Sequence, residues 1–213
     1  MKAVLIYSGG LDSTTLLYEY KESIALAVSF DYGSKHNERE IAFARLNCEK
    51  LGVEHIVIPL EFMQKYFRSS LLKGGEDIPE GSYDDSNMQS TVVPFRNGIM
   101  LAIAAGLAES RGLDAIMMAN HGGDHAIYPD CRPEFVDAFG KAVEAGTYNG
   151  VKLLSPYCDI TKRDIALRGK ALGIDYSLTY SCYKGGEKHC GKCGTCTERK
   201  EALEGFDPTE YED

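Results

Sequence analysis

The chain has 213 residues, 44% of them hydrophobic, which suits one domain or one domain with a small appendage. Its formal net charge of −9 argues against broad binding of a nucleic-acid backbone, because that binding needs surfaces rich in Lys and Arg. No window approaches the length of a membrane-spanning segment, and no signal peptide is expected ahead of the first apolar run. We therefore expect a cytoplasmic protein that acts on small molecules, with neither nucleic acid nor membrane among its direct partners.

The most informative stretch is residues 8–13, Ser-Gly-Gly-Leu-Asp-Ser, which we call the glycine loop. It follows an apolar run typical of a strand, residues 3–7, and precedes a helix-like run, residues 14–20. Two glycines allow a tight bend, and the start of a helix offers free N–H groups, so this corner attracts phosphate. The Asp12 carboxylate would repel phosphate unless Mg²⁺ lay between them, so we expect a magnesium ion at Asp12.

The glycine loop lacks the Gly-Lys-Ser/Thr ending of a Walker A motif and the G-x-G-x-x-G spacing of a dinucleotide site. It resembles the SGGxDS loop of the PP-loop ATP pyrophosphatases, which cleave ATP between the α and β phosphates and adenylylate a substrate. An ordinary glycine-rich turn capped by Ser and Asp is the alternative. The resemblance implies that ATP is bound by Tyr7, Ser8, Gly9, Gly10, Leu11, Asp12, Ser13, Thr14, Thr15, Leu16 and Leu17.

Apolar runs alternate with helical patterns along the rest of the chain. Residues 24–31 are mostly apolar, as expected for a strand buried on both faces of a parallel sheet. We predict an α/β fold with a doubly wound, mostly parallel five-stranded sheet, adenine nucleotide alpha-hydrolase-like as in the PP-loop proteins. The predicted strands are residues 3–7, 24–31, 55–60, 114–120 and 151–156, and the predicted helices are residues 14–20, 38–51, 134–145, 162–172 and one that opens within residues 92–98.

A long polar loop interrupts this alternation at residues 73–92, which are rich in glycine, acidic residues and serine. Loops of this length in a compact domain are usually functional or disordered. A lid over the active site and a flexible insertion are the two alternatives for this loop.

Further polar side chains stand at the starts of helices and at the end of the fourth strand. They could recognise a purine-like ring and its charged groups. The turn at residues 121–133 could instead bind a second metal or hydrogen-bond within itself, and the side chains at the helix starts could be ordinary solvated groups. The predicted substrate-binding residues are Arg96, Asn97, Asp124, Tyr128, Asp130 and Arg132, with Lys162 as a phosphate contact.

Four clustered cysteines form the second strong motif: Cys182, Cys190, Cys193 and Cys196. Two-residue spacings let neighbouring sulfurs converge, and four thiolates can close a tetrahedral shell around Zn²⁺, which makes the ion structural rather than catalytic. An iron–sulfur cluster is the rival, and His189 could replace one cysteine ligand. We divide the chain into an ATP-binding domain, residues 1–175, and a zinc-binding cysteine segment with an acidic tail, residues 176–213.

Together the motifs resemble the QueC family, the 7-cyano-7-deazaguanine synthases, over essentially the whole chain. The resemblance implies an ATP-dependent C–N ligase in queuosine-type biosynthesis. ATP would adenylylate the carboxylate of 7-carboxy-7-deazaguanine, ammonia would give the amide, and a second activation would give the nitrile. The resemblance also implies a zinc-bound homodimer. The matching pieces are residues 8–15, 30–33, 93–94, 96–97 and 128–135 with the four cysteines.

Two stretches depart from the family pattern. Phe95 stands where many members have glycine, and residues 121–127 replace a different loop. We expect both changes at the substrate wall, so the enzyme could stop at the amide or join the activated acid to another amine. Two further hypotheses compete with this function: a tRNA-modifying PP-loop enzyme, which the net charge disfavours, and a zinc-binding module with an inert nucleotide fold.

Overall fold

A five-stranded sheet forms the centre of the fold in the computed structural model, which describes residues 1–82 and 86–212. The strands lie in the order third, second, first, fourth, fifth, and each pair of neighbouring strands in this sheet is parallel. The predicted doubly wound α/β fold is thereby confirmed. The strands are β1 (Ala3–Ile6), β2 (Ile24–Asp31), β3 (Glu54–Pro59), β4 (Ala115–Met117) and β5 (Lys152–Leu154).

Helices fill the crossovers at the predicted places. The α-helices of the described chain are α1 (Leu11–Glu19), α2 (Asn37–Leu51), α3 (Glu61–Tyr66), α4 (Arg96–Ser110), α5 (Pro133–Gly146), α6 (Lys162–Ala171) and α7 (Gly194–Ala202). The sequence pattern did not indicate two of them. The six residues of α3 are too few to show a helical period, and α7 lies among cysteines whose spacing indicates metal binding.

Alternate side chains of β1 point to opposite faces of the sheet. Val4 shares one buried cluster with Leu101 of α4, and Leu5 shares another with Leu16 of α1 and Ile165 of α6. Because successive strand residues face opposite ways, a strand covered by helices on both faces must be apolar throughout. The continuous apolar character of β1 and β2 therefore follows from their central place in the sheet.

The direction of winding reverses beside β1. Val4 of β1 is paired with Leu26 of β2 on one side and with Ile116 of β4 on the other. Ligands of doubly wound proteins bind at such a switch point, at the carboxyl ends of the strands. The glycine loop follows β1 directly, so the fold places it at this position.

The expectation that no window approaches the length of a membrane-spanning segment is wrong. Met88–Ser110, with a mean hydropathy of 1.4 over its most apolar window, is the single helical stretch within the described residues that is long and apolar enough to cross a membrane by length and composition. The helix α4 lies within this stretch, packs against β1 and β4, and buries Leu101, Ala104 and Ala108 completely. Covering a sheet accounts for the apolarity of this helix.

Part of the predicted long loop lies against the cysteine segment. Glu80 forms an antiparallel bridge with Cys193, which joins the loop to the second motif of the chain. The four cysteines in turn share a buried cluster with Phe30 of β2. Residues 83–85, which belong to the predicted lid or flexible insertion, lie outside the described residues.

Candidate functional site

A cleft of about 1130 Å³, its open mouth included, lies at the carboxyl edge of the sheet. Its lining includes Ile6, Phe30 and Met118, which lie at or next to the carboxyl ends of β1, β2 and β4. Five of the predicted ATP-binding residues line the cleft: Ser8, Gly10, Leu11, Asp12 and Ser13. The others are buried behind this wall: Tyr7, Gly9, Thr14, Thr15, Leu16 and Leu17.

The two glycines of the loop have different roles. Gly9 has a φ of +92°, and a Cβ atom there would lie 2.3 Å from the Glu40 carbonyl oxygen of α2. Its own carbonyl accepts a hydrogen bond from the Tyr180 N–H at 3.1 Å. Gly9 therefore permits close packing of the loop against α2, while Gly10 lines the cleft.

Hydroxyl groups hold the loop from both sides of α1. The Ser8 Oγ accepts from the Gly10 N–H at 3.1 Å and lies 3.0 Å from the Ser13 Oγ. Behind the helix, the Thr15 Oγ1 lies 2.8 Å from the Tyr176 hydroxyl. Thr15 thus supports the geometry of the loop from within the core.

An ion pair joins the glycine loop to α6. The Lys162 Nζ lies 2.9 Å from the Asp12 Oδ2 and 2.8 Å from the Glu198 Oε2. Burial alone would lower the pKa of Lys162, but the carboxylates of Asp12 and Glu198 raise it, so the ammonium stays charged. The Asp12 Oδ1 is buried without a hydrogen-bond partner among the described residues. Such an oxygen is costly to leave unpaired and fits a hard cation such as Mg²⁺.

His121 lies among three carboxylates beside this ion pair. Its Nδ1 accepts from the Gly123 N–H at 3.1 Å. Its Nε2 lies 3.6 Å from Asp124, 3.7 Å from Glu198 and 3.9 Å from Asp12. The polar turn that contains His121 is visible in the sequence, but Glu198 was missed. No local pattern links Glu198, 186 positions further along the chain, to Asp12.

The opposite wall of the cleft is aromatic and cationic. The Arg96 guanidinium donates to the Tyr32 hydroxyl at 3.2 Å and its carbon lies 5.6 Å from the centre of that ring. The Tyr128 hydroxyl lies 2.9 Å from the Thr91 Oγ1 and 3.0 Å from the Tyr183 hydroxyl. A guanidinium held beside aromatic rings can pair with a carboxylate or phosphate of a flat ligand.

The structure brings together four of the six predicted substrate-binding residues at the cleft: Arg96, Asn97, Asp124 and Tyr128. The other two lie elsewhere. Asp130 accepts from the Asn97 N–H at 2.8 Å and so satisfies a free amide at the start of α4. Arg132 is exposed and donates to the His125 carbonyl at 2.9 Å. As substrate contacts, Asp130 and Arg132 stay predictions.

Phe95 does not lie at the substrate wall, contrary to the sequence prediction. Its side chain is 58% exposed, and its ring packs edge-to-face on Phe135 with the centres 5.8 Å apart. Its backbone is left-handed, with a φ of 52°, a conformation that favours glycine. This departure from the family pattern therefore falls on the outer surface at the start of α4 and says nothing about the product.

Two ionisable side chains complete the cleft: His36, which is buried, and Glu40, which is partly buried. Burial lowers the pKa of His36 to about 3, and Arg96 acts in the same direction. Burial raises the pKa of Glu40 to about 8, while Arg96 opposes that shift. The two side chains are 3.7 Å apart, so a neutral imidazole faces a mostly protonated carboxylic acid at neutral pH.

The four cysteines of the second motif converge in one buried cluster. Their sulfur atoms all lie within 4.8 Å of one another, and those of Cys190 and Cys196 are 3.9 Å apart. Four bonds of about 2.3 Å in a tetrahedron place sulfurs about 3.8 Å apart, so this donor set fits a single tetrahedral metal ion. The converging set does not include His189, whose Nε2 accepts from the Ser181 N–H at 3.1 Å.

Comparison with known families identifies the chain. The family model described as "Queuosine biosynthesis protein QueC" matches residues 2–207. The chain belongs to the QueC family. Among its relatives, the 7-cyano-7-deazaguanine synthase of Porphyromonas gingivalis strain ATCC 33277 is 66% identical over 213 residues, which are 99% of this QueC chain and 97% of the relative. The synthase of that name from Desulfotalea psychrophila is 54% identical over 98% of both chains. QueC is thus a family of enzymes.

Solved structures of other proteins share the fold of this QueC chain. The U34-tRNA thiolase NcsA of Methanococcus maripaludis, solved with its [4Fe-4S] cluster, has a TM-score of 0.53 at 16% identity over 83% of this chain, which spans 58% of the thiolase. The NMN synthetase of Francisella tularensis has a TM-score of 0.50 at 14% identity, over 87% of this chain and 68% of the synthetase. At these identities the likeness shows the α/β fold alone.

Proposed function

We propose that this QueC protein is an ATP-dependent ligase that converts 7-carboxy-7-deazaguanine and ammonia to 7-cyano-7-deazaguanine in queuosine-type biosynthesis. The observation that carries the proposal is the match to a synthase of that name at 66% identity over 99% of the chain. The cleft supports it, since the glycine loop lies at the switch point where doubly wound proteins bind ligands.

The reaction requires activation because a carboxylate is a poor electrophile. Its oxygen attacks the α-phosphorus of ATP, which forms an acyl adenylate and releases pyrophosphate. Ammonia adds to the carbonyl carbon, and AMP leaves with the electrons of the C–O bond to give the amide after loss of a proton. A second ATP adenylylates the amide oxygen, and loss of AMP and a proton leaves the nitrile. Ammonia is the nucleophile, so the protein supplies position and charge.

The glycine loop and the start of α1 receive the phosphates in this proposal. The Thr14 N–H is the first of α1 to bond within the helix, to the Gly10 carbonyl at 3.0 Å. The three preceding amides, those of residues 11–13, therefore remain for ligand oxygens. The charged Lys162 ammonium lies beside them and offsets the negative charge of the departing pyrophosphate.

Asp12 is the residue that would hold Mg²⁺. Its Oδ2 pairs with Lys162, and its Oδ1 is buried without a partner in the described chain, so one hard oxygen donor is available. The ion, when bound, neutralises phosphate charge and acts as a Lewis acid. Lys162 fixes the orientation of the carboxylate and so determines where the available oxygen lies.

The aromatic wall is suited to the deazaguanine. We assign the substrate carboxylate to the Arg96 guanidinium, which is held against the Tyr32 ring. Tyr128 and Asp124 line the same cleft and can contact the flat heterocycle and its N–H groups. This arrangement would place the carboxylate between the substrate wall and the glycine loop.

The cysteine segment is assigned a structural zinc ion. A cube of iron and sulfide must sit between its cysteine ligands, so sulfurs within 4.8 Å of one another suit one ion better than an iron–sulfur cluster. The division of the chain into residues 1–175 and residues 176–213, assembly as a homodimer, and action in the cytoplasm are parts of the same proposal.

Product analysis tests the function directly. The purified protein is incubated with ATP, Mg²⁺, ammonium and 7-carboxy-7-deazaguanine, and mass spectrometry should show the nitrile together with AMP. If the amide accumulates, or a conjugate with an added amine, that compound is the product in place of the nitrile. Release of AMP without dependence on the acid would indicate another acceptor, and no nucleotide turnover would favour an inert binding module.

A further inference from the structure

The helix α7 belongs to both motifs of the molecule. It begins directly after Cys193 and contains Cys196, so its first turn is part of the metal cluster. Two residues later, the Glu198 carboxylate reaches the Lys162 Nζ at 2.8 Å, and its side chain is only 13% exposed. One short helix therefore joins the cysteine cluster to the phosphate end of the cleft.

A second anchor fixes α7 in place. Arg199 is completely buried and donates to the Tyr176 carbonyl at 2.7 Å, the Ser181 Oγ at 2.9 Å and the Thr209 Oγ1 at 2.8 Å. Charge-assisted bonds of this kind are strong, and removing the acceptors would leave a buried charge. The cysteine segment thus sets the position of Glu198 in two ways. The cysteine cluster anchors the start of α7, and Arg199 anchors the middle of the helix.

Lys162 gains a defined position from this arrangement. It is the first residue of α6, and its ammonium lies at the end of a flexible four-carbon stem. The Asp12 Oδ2 at 2.9 Å and the Glu198 Oε2 at 2.8 Å flank the Nζ atom, with the His121 Nε2 at 3.4 Å. A single carboxylate fixes only one distance, whereas contacts to two carboxylates and an imidazole on different elements together fix the position of the Nζ atom.

We propose that Glu198 is a positioning residue that holds the Lys162 ammonium beside Asp12. Through Glu198, the cysteine segment sets the geometry of the phosphate end of the cleft. This inference rests on the proposed function, because that function makes Lys162 a phosphate contact. The cysteine cluster then has a role beyond local folding, since the helix that starts at the cluster carries the carboxylate that orients Lys162.

A double-mutant cycle tests whether Glu198 acts through Lys162. Glu198→Gln should lower kcat/KM for ATP on the order of 10²-fold, because a displacement of about 1 Å in a positioned group has an effect of that size. Lys162→Ala should lower it at least as much, and the double variant should be no worse than Lys162→Ala alone. Glu201→Gln, an exposed change on the same helix, is the matched control and should retain full activity. Unchanged kinetics in Glu198→Gln, or a further tenfold loss in the double variant, would overturn the inference.

Metal content and a crystal structure separate positioning from folding. Glu198→Gln should bind as much metal as the wild type, and the Lys162 Nζ should move more than about 1 Å from its place beside Asp12. Loss of metal, or an unmoved Lys162, would overturn the inference. These measurements need no substrate. If the wild type forms no nitrile, the proposed function fails, and the structural result still decides the role of Glu198.

Discussion

The glycine loop and the cysteine cluster differ in how completely their donor atoms are satisfied. The cluster is closed: four buried sulfurs within 4.8 Å of one another supply every ligand that a tetrahedral ion takes. The loop is open: one oxygen of Asp12 pairs with Lys162, while the other is buried without a partner among the described residues. A closed set retains its ion and stabilises the fold, whereas an open set can bind and release a reacting ligand.

The two regions also differ in where their residues come from. All four cysteines fall within 15 consecutive positions, from Cys182 to Cys196. The carboxylate of the loop instead pairs with Lys162 of α6, which in turn pairs with Glu198 of α7, and both helices lie far from the loop in the sequence. A short stretch of sequence can therefore supply every ligand of a metal site. The glycine loop, in contrast, supplies only some of the groups of the cleft.

The largest expected effect is at the open set. Asp12→Ala should lower AMP formation by at least about 10³-fold, because it removes one of the two carboxylates that pair with Lys162 and also the oxygen assigned to Mg²⁺. The fold should survive, since α1 keeps its core contacts through Leu16 and Leu17. Steady-state AMP release and a thermal melt measure the two consequences. Asp137→Ala, on the exposed side of α5, is the control, and an active Asp12→Ala enzyme would contradict the metal role.

A substitution in the closed set should lower the stability of the fold before it lowers activity. Cys193→Ser should lose the bound metal and lower the melting temperature by on the order of 10 °C, because the energy of a structural zinc site is folding energy. Elemental analysis and calorimetry measure the two effects. Cys158→Ser, outside the cluster, should keep its metal. A folded, metal-free and active Cys193→Ser protein would remove the contrast between the two regions.

The smallest expected effect concerns Glu40, which lines the open site. Its raised pKa means that the folded protein binds more protons than the unfolded chain between pH 4.5 and about 8, so this group stabilises the fold at low pH and less as pH rises through that range. Glu40→Gln does not titrate. Its melting temperature relative to the wild type should therefore increase by at least about 3 °C between pH 5 and pH 8, equivalent to about 1 kcal/mol.

The opposite titration of His36 does not confuse this comparison. Its lowered pKa makes the folded state gain stability as pH rises from about 3 to 6.5, but His36 is present in both proteins. Glu38→Gln, an exposed change on the same helix, is the matched control for the substitution itself. A flat difference between Glu40→Gln and the wild type would show that Glu40 is charged in the folded protein.

Sequence patterns predicted the order of the strands and helices and the glycine loop that lines one side of the cleft. The alternation of apolar strands and helices fixed the order of elements, because a central parallel strand must be apolar on both faces. It did not find α7 or Glu198, whose importance depends on packing against α6. The sequence also placed Phe95 in the substrate wall, where its neighbour Arg96 lies. Only the structure shows that the backbone of Phe95 is left-handed and that its side chain is exposed on the outer surface.

The sequence by itself determined the α/β class and membership of QueC, and it located the glycine loop and the four cysteines to which we assign phosphate and metal, since each depends on residues close together in the chain or on whole-chain similarity. Only the tertiary structure decided that Gly9 serves packing, that Asp130 serves the start of α4, and that Glu198 meets Lys162. The physical reason is that burial and pairing depend on distances between elements. Those distances arise only when the sheet and helices pack.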